Sequence, residues 1–158
     1  MATIPLPTVP PDADVYIDAN ILIHAMLGKS AECRAFVGRC GTDINGYSDV
    51  KVLHDTMHKL MCAEAGVGAK NLKKNPALIK SLTKWQNHAS VVRRLPIEWI
   101  DMHMTSVDQV PNRASSLGLL CGDSLITVLM NEYGIRAIAS DDSDFDNLGV
   151  TVYEPSDL

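Results

Sequence analysis

Carboxylates at the ends of apolar runs are the residues best suited to chemistry in this chain. Asp18 and Asn20 interrupt VYIDANILIHAM, residues 15–26. Asp123 opens the apolar run CGDSLITVLMNEYG, and Ser140, Asp141, Asp142 and Asp144 crowd into IASDDSDFDNLG. Asp55 stands within VKVLHDTMHKLMCAEA. A buried, unpaired carboxylate costs several kcal/mol or changes its pKa. Acids placed where buried strands end therefore point to an open cleft. Carboxylates that meet there repel one another, and a divalent cation removes the conflict. Hard oxygen donors select Mg²⁺ or Mn²⁺ over zinc. Such a cluster suits phosphodiester cleavage, in which the metal activates water and shields the developing charge.

Each acid also has an ordinary structural role. Asp18 or Asn20 can cap the helix that follows. Asp123 at a helix start is favoured by the macrodipole alone. Asp141, Asp142, Asp144 and Asp146 are common turn formers. Conjunction favours the functional reading, because three separate segments deliver an acid to one predicted edge. Asp55 lies nearly opposite the apolar stripe of its helix at ~100° per residue, which fits a solvated face as well as a cleft.

The elements that must position these residues follow from periodicity and turn signals. Residues 15–19 read as a strand, 20–28 and 30–40 as helices, and 49–65 as a long helix with Val50, Leu53, Met57, Leu60, Met61 and Glu64 on one stripe. Residues 77–94 read as one amphipathic helix and 97–101 as a strand. Helices are expected over 105–116 and 122–133, then strands at 135–140 and near VTVYEP. Alternating strands and helices imply a parallel α/β sheet, whose ligands bind beyond the carboxyl ends of the strands.

The 158 residues suit one domain, expected over 15–158 behind an extended, proline-rich arm over 1–14. A net charge of −5 argues against a broadly basic nucleic-acid binder but not against a metal nuclease. No apolar run reaches the ~18 residues of a membrane span, and the start lacks the pattern of a signal peptide. The four cysteines show no metal-type spacing, so reduced thiols and a cytoplasmic location are expected.

The stretch HDTMH places His54 and His58 on one helical face with an acid between them, as in H-E-x-x-H zinc sites. That reading lacks an obvious third ligand and leaves Asp18, Asp123 and Asp142 unexplained. A zinc hydrolase is therefore a remote alternative. A dehalogenase-type phosphatase wants D-x-D where this chain has Asp18 and Asn20.

Four segments in order resemble the PIN-domain proteins of the VapC toxin family: YIDANILIHAM, VLHDTMHKLMCAEA, GLLCGDSLITVLMNEYGI and IASDDSDFDNLGVTVYEP. The resemblance covers about residues 15–155. It implies a PIN-like three-layer α/β sandwich with a short parallel sheet of four or five strands flanked by helices. It also implies an Mg²⁺- or Mn²⁺-dependent endoribonuclease, the toxin of a VapBC-type pair. Carried over by position, the metal ligands are Asp18, Asp123 and Asp142, with Asp144 as a further, outer acid and Asp55 at a catalytic glutamate position. Asn20 and Ser140 support them by hydrogen bonding. Asp55 in place of glutamate shortens the reach by roughly 1.5 Å. A catalytically weak module serving as an RNA-binding or protein-interaction scaffold is the alternative. The family implies an RNA substrate, a small antitoxin partner and a homodimer. Lys70, Lys73 and Lys74, with Arg93 and Arg94, are the only basic clusters for RNA phosphates. Solubilising surface charge explains them equally well.

Overall fold

The computed structural model describes residues 4–158. Six strands form one wholly parallel sheet in the order β1-β6-β5-β2-β3-β4. They are β1 (Ile4–Pro5), β2 (Ala13–Ile17), β3 (Ile44–Asp49), β4 (Glu98–Ile100), β5 (Ala137–Ala139) and β6 (Thr151–Glu154). Nine helices connect them among the described residues: α1 (Ala19–Met26), α2 (Ala31–Arg39), α3 (Val50–Ala65), α4 (Ala69–Leu72), α5 (Pro76–Ser81), α6 (Lys84–Arg94), α7 (Met104–Asp108), α8 (Val110–Leu117) and α9 (Cys121–Glu132). One helical group packs α1 on α2 and α3, and α3 on α6; a second packs α7 and α8 on α9. The connections run from β2 through β3 to β4 and then back to β5, and crossovers between parallel strands take the right hand. They put the two groups on opposite faces.

Central strands buried on both faces read as unbroken apolar runs, and Val15, Tyr16 and Ile17 are fully buried. They join Ile21, Leu22, Phe36, Ile44, Leu129 and Ile138 in the core. Strand order reverses between β2 and β5. In such sheets the crevice outside the carboxyl ends at that switch is where ligands bind. Asp18 follows β2, and Ser140 to Asp142 follow β5.

The sheet has six strands rather than four or five. The sequence INGYSD hides β3, because Asn, Gly, Ser and Asp are poor strand formers. It forms between β2 and β4, where its backbone bonds are completed on both sides. Of the arm expected over 1–14, residues 1–3 lie outside the described residues. Ile4 and Pro5 pair with β6 at the sheet edge, where proline is tolerated, and Leu6 and Val9 are buried.

The helix expected over 77–94 is two. Glu64, near the end of α3, accepts from the Thr83 and Trp85 amides at 3.0 and 2.7 Å and so caps α6 from another element. The helix over 105–116 is also two, because Pro111 occupies the first turn of α8. On α3 the buried positions are Val52, Thr56 and Leu60, while Val50 is 60% exposed. The apolar face is thus turned from the stripe through Val50, and the row Lys51, Asp55, Lys59 borders it.

Candidate active site

Asp18 stands at the cap of α1, immediately after β2. Its own amide continues the ladder by donating to the Ala139 carbonyl at 3.0 Å. One carboxylate oxygen accepts from the Ala19 amide at 2.6 Å, and the other from the Ser140 hydroxyl at 2.8 Å. Ser140 is fully buried, and its Oγ also accepts from the Asp142 amide at 3.1 Å. A single hydroxyl thereby ties together the ends of the two strands at the switch point. Asp142 Oδ1 accepts from the Asp144 amide at 3.0 Å, capping a short 3-10 turn, Ser143–Phe145. Buried Phe145 anchors that turn in the core.

These contacts aim Asp142 and Asp144 at Asp123, in the first turn of α9. One carboxylate oxygen from each of the three lies within 4.8 Å of the other two. Among the described residues, no lysine or arginine pairs with them within 4.0 Å. Burial first, then the charges of Asp142, Asp18 and Asp144, push the Asp123 carboxyl above the usual range; Lys51 partly opposes this. Burial raises Asp18 as well, against the bonds from Ser140 and Ala19. Crowded hard-oxygen donors with no cationic side chain among them fit a divalent ion of the Mg²⁺ or Mn²⁺ type.

A raised carboxylate pKa stabilises the fold below the unfolded value and loses that contribution as pH rises through the folded one. Metal-free Asp123→Asn is therefore expected to melt above the wild type at pH 7. The gap should close below about pH 4. Melting curves in EDTA at both pH values check this; an equal or lower Tm at pH 7 would contradict it.

Asp18 is not one of the three mutually close acids, but its charge reaches Asp123. Asp144, expected as an outer acid, is one of the three. Asn20 does not bond to Asp18. Its Nδ2 donates to Asp141 at 2.8 Å, and its Oδ1 accepts from Lys59 Nζ at 2.7 Å. His24 Nε2 lies 3.0 Å from the other Asp141 oxygen. Asp141, read as a turn former, thus joins the loop after β5 to α1. Asp55 is also outside the trio, paired with Lys51 Nζ at 2.5 Å.

The basic clusters lie elsewhere. Lys70, Lys73 and Lys74 follow the C-terminus of α3, whose second turn carries Asp55, ten residues or about 15 Å back along the helix. Arg93 and Arg94 end α6 just before Pro96. Pro96 packs against Gly41, ahead of β3 and at the opposite edge of the sheet from the acids. The cations near the cleft are Lys51 and Lys59. Their i, i+4, i+8 spacing with Asp55 was the signal available in the sequence. His54 has its side chain 79% exposed. Neither it nor His58 joins a cluster of three potential ligands among the described residues, which removes the support for a zinc site.

The parallel sheet, its switch point and the helices on both faces make a PIN-like α/β fold. More narrowly, the fold is that of the PIN-domain VapC-type toxins. VapC20 of Mycobacterium tuberculosis, a toxin that cleaves the sarcin–ricin loop, superposes with a TM-score of 0.61 at 12% identity, over 86% of this chain and 95% of that one. VapBC2 of Rickettsia felis, bound to a DNA fragment from its promoter, superposes with a TM-score of 0.59, also at 12% identity, over 89% and 98%. No family model matches the sequence, and no curated protein matches it.

Proposed function

We propose that this chain is a divalent-metal-dependent endoribonuclease, the toxin of a VapBC-type pair, hydrolysing RNA phosphodiester bonds. One observation carries the reading: the cluster of Asp123, Asp142 and Asp144, beside Asp18, at the switch point of a VapC-type fold. Asp123, Asp142 and Asp144 would hold Mg²⁺ or Mn²⁺, with Asp18 as the neighbouring acid. When bound, such an ion supplies Lewis acidity and lowers the pKa of a coordinated water. The chain's own part is preorganisation. Ser140 keeps Asp18 and Asp142 in register by bonding to both. The Ala19 amide fixes the other Asp18 oxygen, and the turn on Phe145 holds Asp144 close to Asp142.

The likeness to VapBC2 supports an antitoxin partner. Met104 and Leu120, 74% and 76% exposed, offer apolar surface for a protein partner or a second copy in a homodimer. A cytoplasmic location belongs to the same proposal. No single helix among the described residues is long and apolar enough to cross a membrane. The four cysteines are free thiols.

The test is cleavage of a mixed structured-RNA substrate by the purified chain with Mg²⁺ or Mn²⁺ and with EDTA. Cleavage that needs the metal is expected; none with either ion would leave the scaffold reading in its place. Within this reading Ser140→Ala should slow metal-dependent cleavage by about 10–100-fold, the usual cost of losing a partner that orients a metal ligand. An unchanged single-turnover rate would show that Ser140 orients neither acid.

A further inference from the structure

Lys51 was not among the expected site residues, yet it stands at the mouth of the acid cluster. It lies in the first turn of α3, with its side chain 35% exposed. One ion pair holds its ammonium, and a second element lies close beside it. Nζ donates to Asp55 Oδ2 at 2.5 Å. The same nitrogen packs against the start of α9, where a Cβ on Gly122 would sit 3.1 Å from it and 3.4 Å from Cε. Gly122 immediately precedes Asp123, and the Lys51 charge acts on that carboxyl. A fixed positive charge attracts a phosphodiester oxygen and repels a second divalent ion brought close to it. Asp55, engaged by Lys51, is correspondingly absent from the group of mutually close acids.

We propose that Lys51, tethered by Asp55, is a further residue of this site: a built-in cation that binds a phosphodiester oxygen of the RNA and restricts the acid cluster to one divalent ion. Asp55 then acts as a positioning residue for Lys51, which gives a role to the short side chain at that position. This inference rests on the metal-ribonuclease reading.

Calorimetric titration of the full chain with Mn²⁺ tests it without reference to turnover. Wild type, Lys51→Met and Lys51→Arg are compared, with melting curves to confirm that each is folded. Wild type and Lys51→Arg are expected to bind one ion. Lys51→Met is expected to bind Mn²⁺ roughly tenfold more tightly, or to take a second ion, because a nearby positive charge is gone. Its RNA cleavage at saturating Mn²⁺ should fall by about tenfold for the same reason. A purely structural role for Lys51 would not tighten metal binding. Two ions in the wild type, or unchanged or weaker Mn²⁺ binding by folded Lys51→Met, would overturn the role of Lys51 and leave the metal site standing. No Mn²⁺ heat from any of the three proteins would overturn the metal site itself, and this inference with it.

Discussion

Asp142→Asn is expected to lower metal-dependent RNA cleavage by at least ~10³-fold while leaving the fold intact. The expected loss exceeds the 10–100-fold typical of a residue that merely orients a ligand, because Asp142 is itself one of the three close acids. The amide keeps an oxygen able to accept from the Asp144 amide, so the turn after β5 retains its cap. The Asp142 backbone bond to Ser140 is untouched. What disappears is a negative charge among oxygens that lie within 4.8 Å of one another. Weaker Mn²⁺ binding and loss of cleavage should therefore appear together, with a melting temperature close to wild type. Single-turnover rates across a Mn²⁺ series, beside calorimetry and a melt, measure all three. A rate within threefold of wild type at every Mn²⁺ concentration would remove Asp142 from the site.

Asp49→Ala should destabilise the protein by about 2–4 kcal/mol, the cost of a lost cap plus a stranded buried donor. For a chain of this size that lowers Tm by roughly 5–15 °C. Asp49 is fully buried at the start of α3. One oxygen accepts from the Lys51 and Val52 amides at 2.6 and 3.0 Å, and the other from the Tyr16 hydroxyl. Tyr16 lies in the middle of the core strand β2 and is itself fully buried. Its phenol is pushed well above the usual range by burial first and then by Asp49, so it stays a neutral donor. Alanine strands that hydroxyl and the first amides of α3 at once. Tyr16→Phe should cost less, about 1–2 kcal/mol, because both amides keep their acceptor. Urea denaturation of the two variants makes the comparison. A loss below 1 kcal/mol for Asp49→Ala would show that water reaches these groups.

The Asp49 result bears on how the site is built. The first two turns of α3 carry Lys51 and Asp55, and the cap that starts them is bonded to the central strand through Tyr16. Residue types marked a helix start near 49, but its apolar face was expected along Val50 rather than Val52. The difference arises because α3 packs against both α1 and α6. Those neighbours settle which side is covered. The helix between residues 77 and 94 shows the same dependence. Nothing in its own periodicity stops it at Leu82, whereas Glu64 from α3 does.

The sequence by itself determined the strands and helices with strong periodicity, and with them the positions of Asp18, Asp123 and Asp142 beside the ends of buried elements. Those features are local. A strand buried on both faces, such as β2, is favoured by a run of apolar residues, and the chain changes character where it leaves the core. The switch point and the sheet order are properties of residues tens to more than a hundred positions apart along the chain. So are the Ser140 hydroxyl shared by Asp18 and Asp142, the approach of Asp144 and the seat of Lys51 against Gly122. Strand β3 belongs with them, since its residues favour a turn until β2 and β4 complete their hydrogen bonds. Only tertiary structure decides such contacts, because hydrogen bonds and charges act over a few ångströms of space, whatever the separation along the chain.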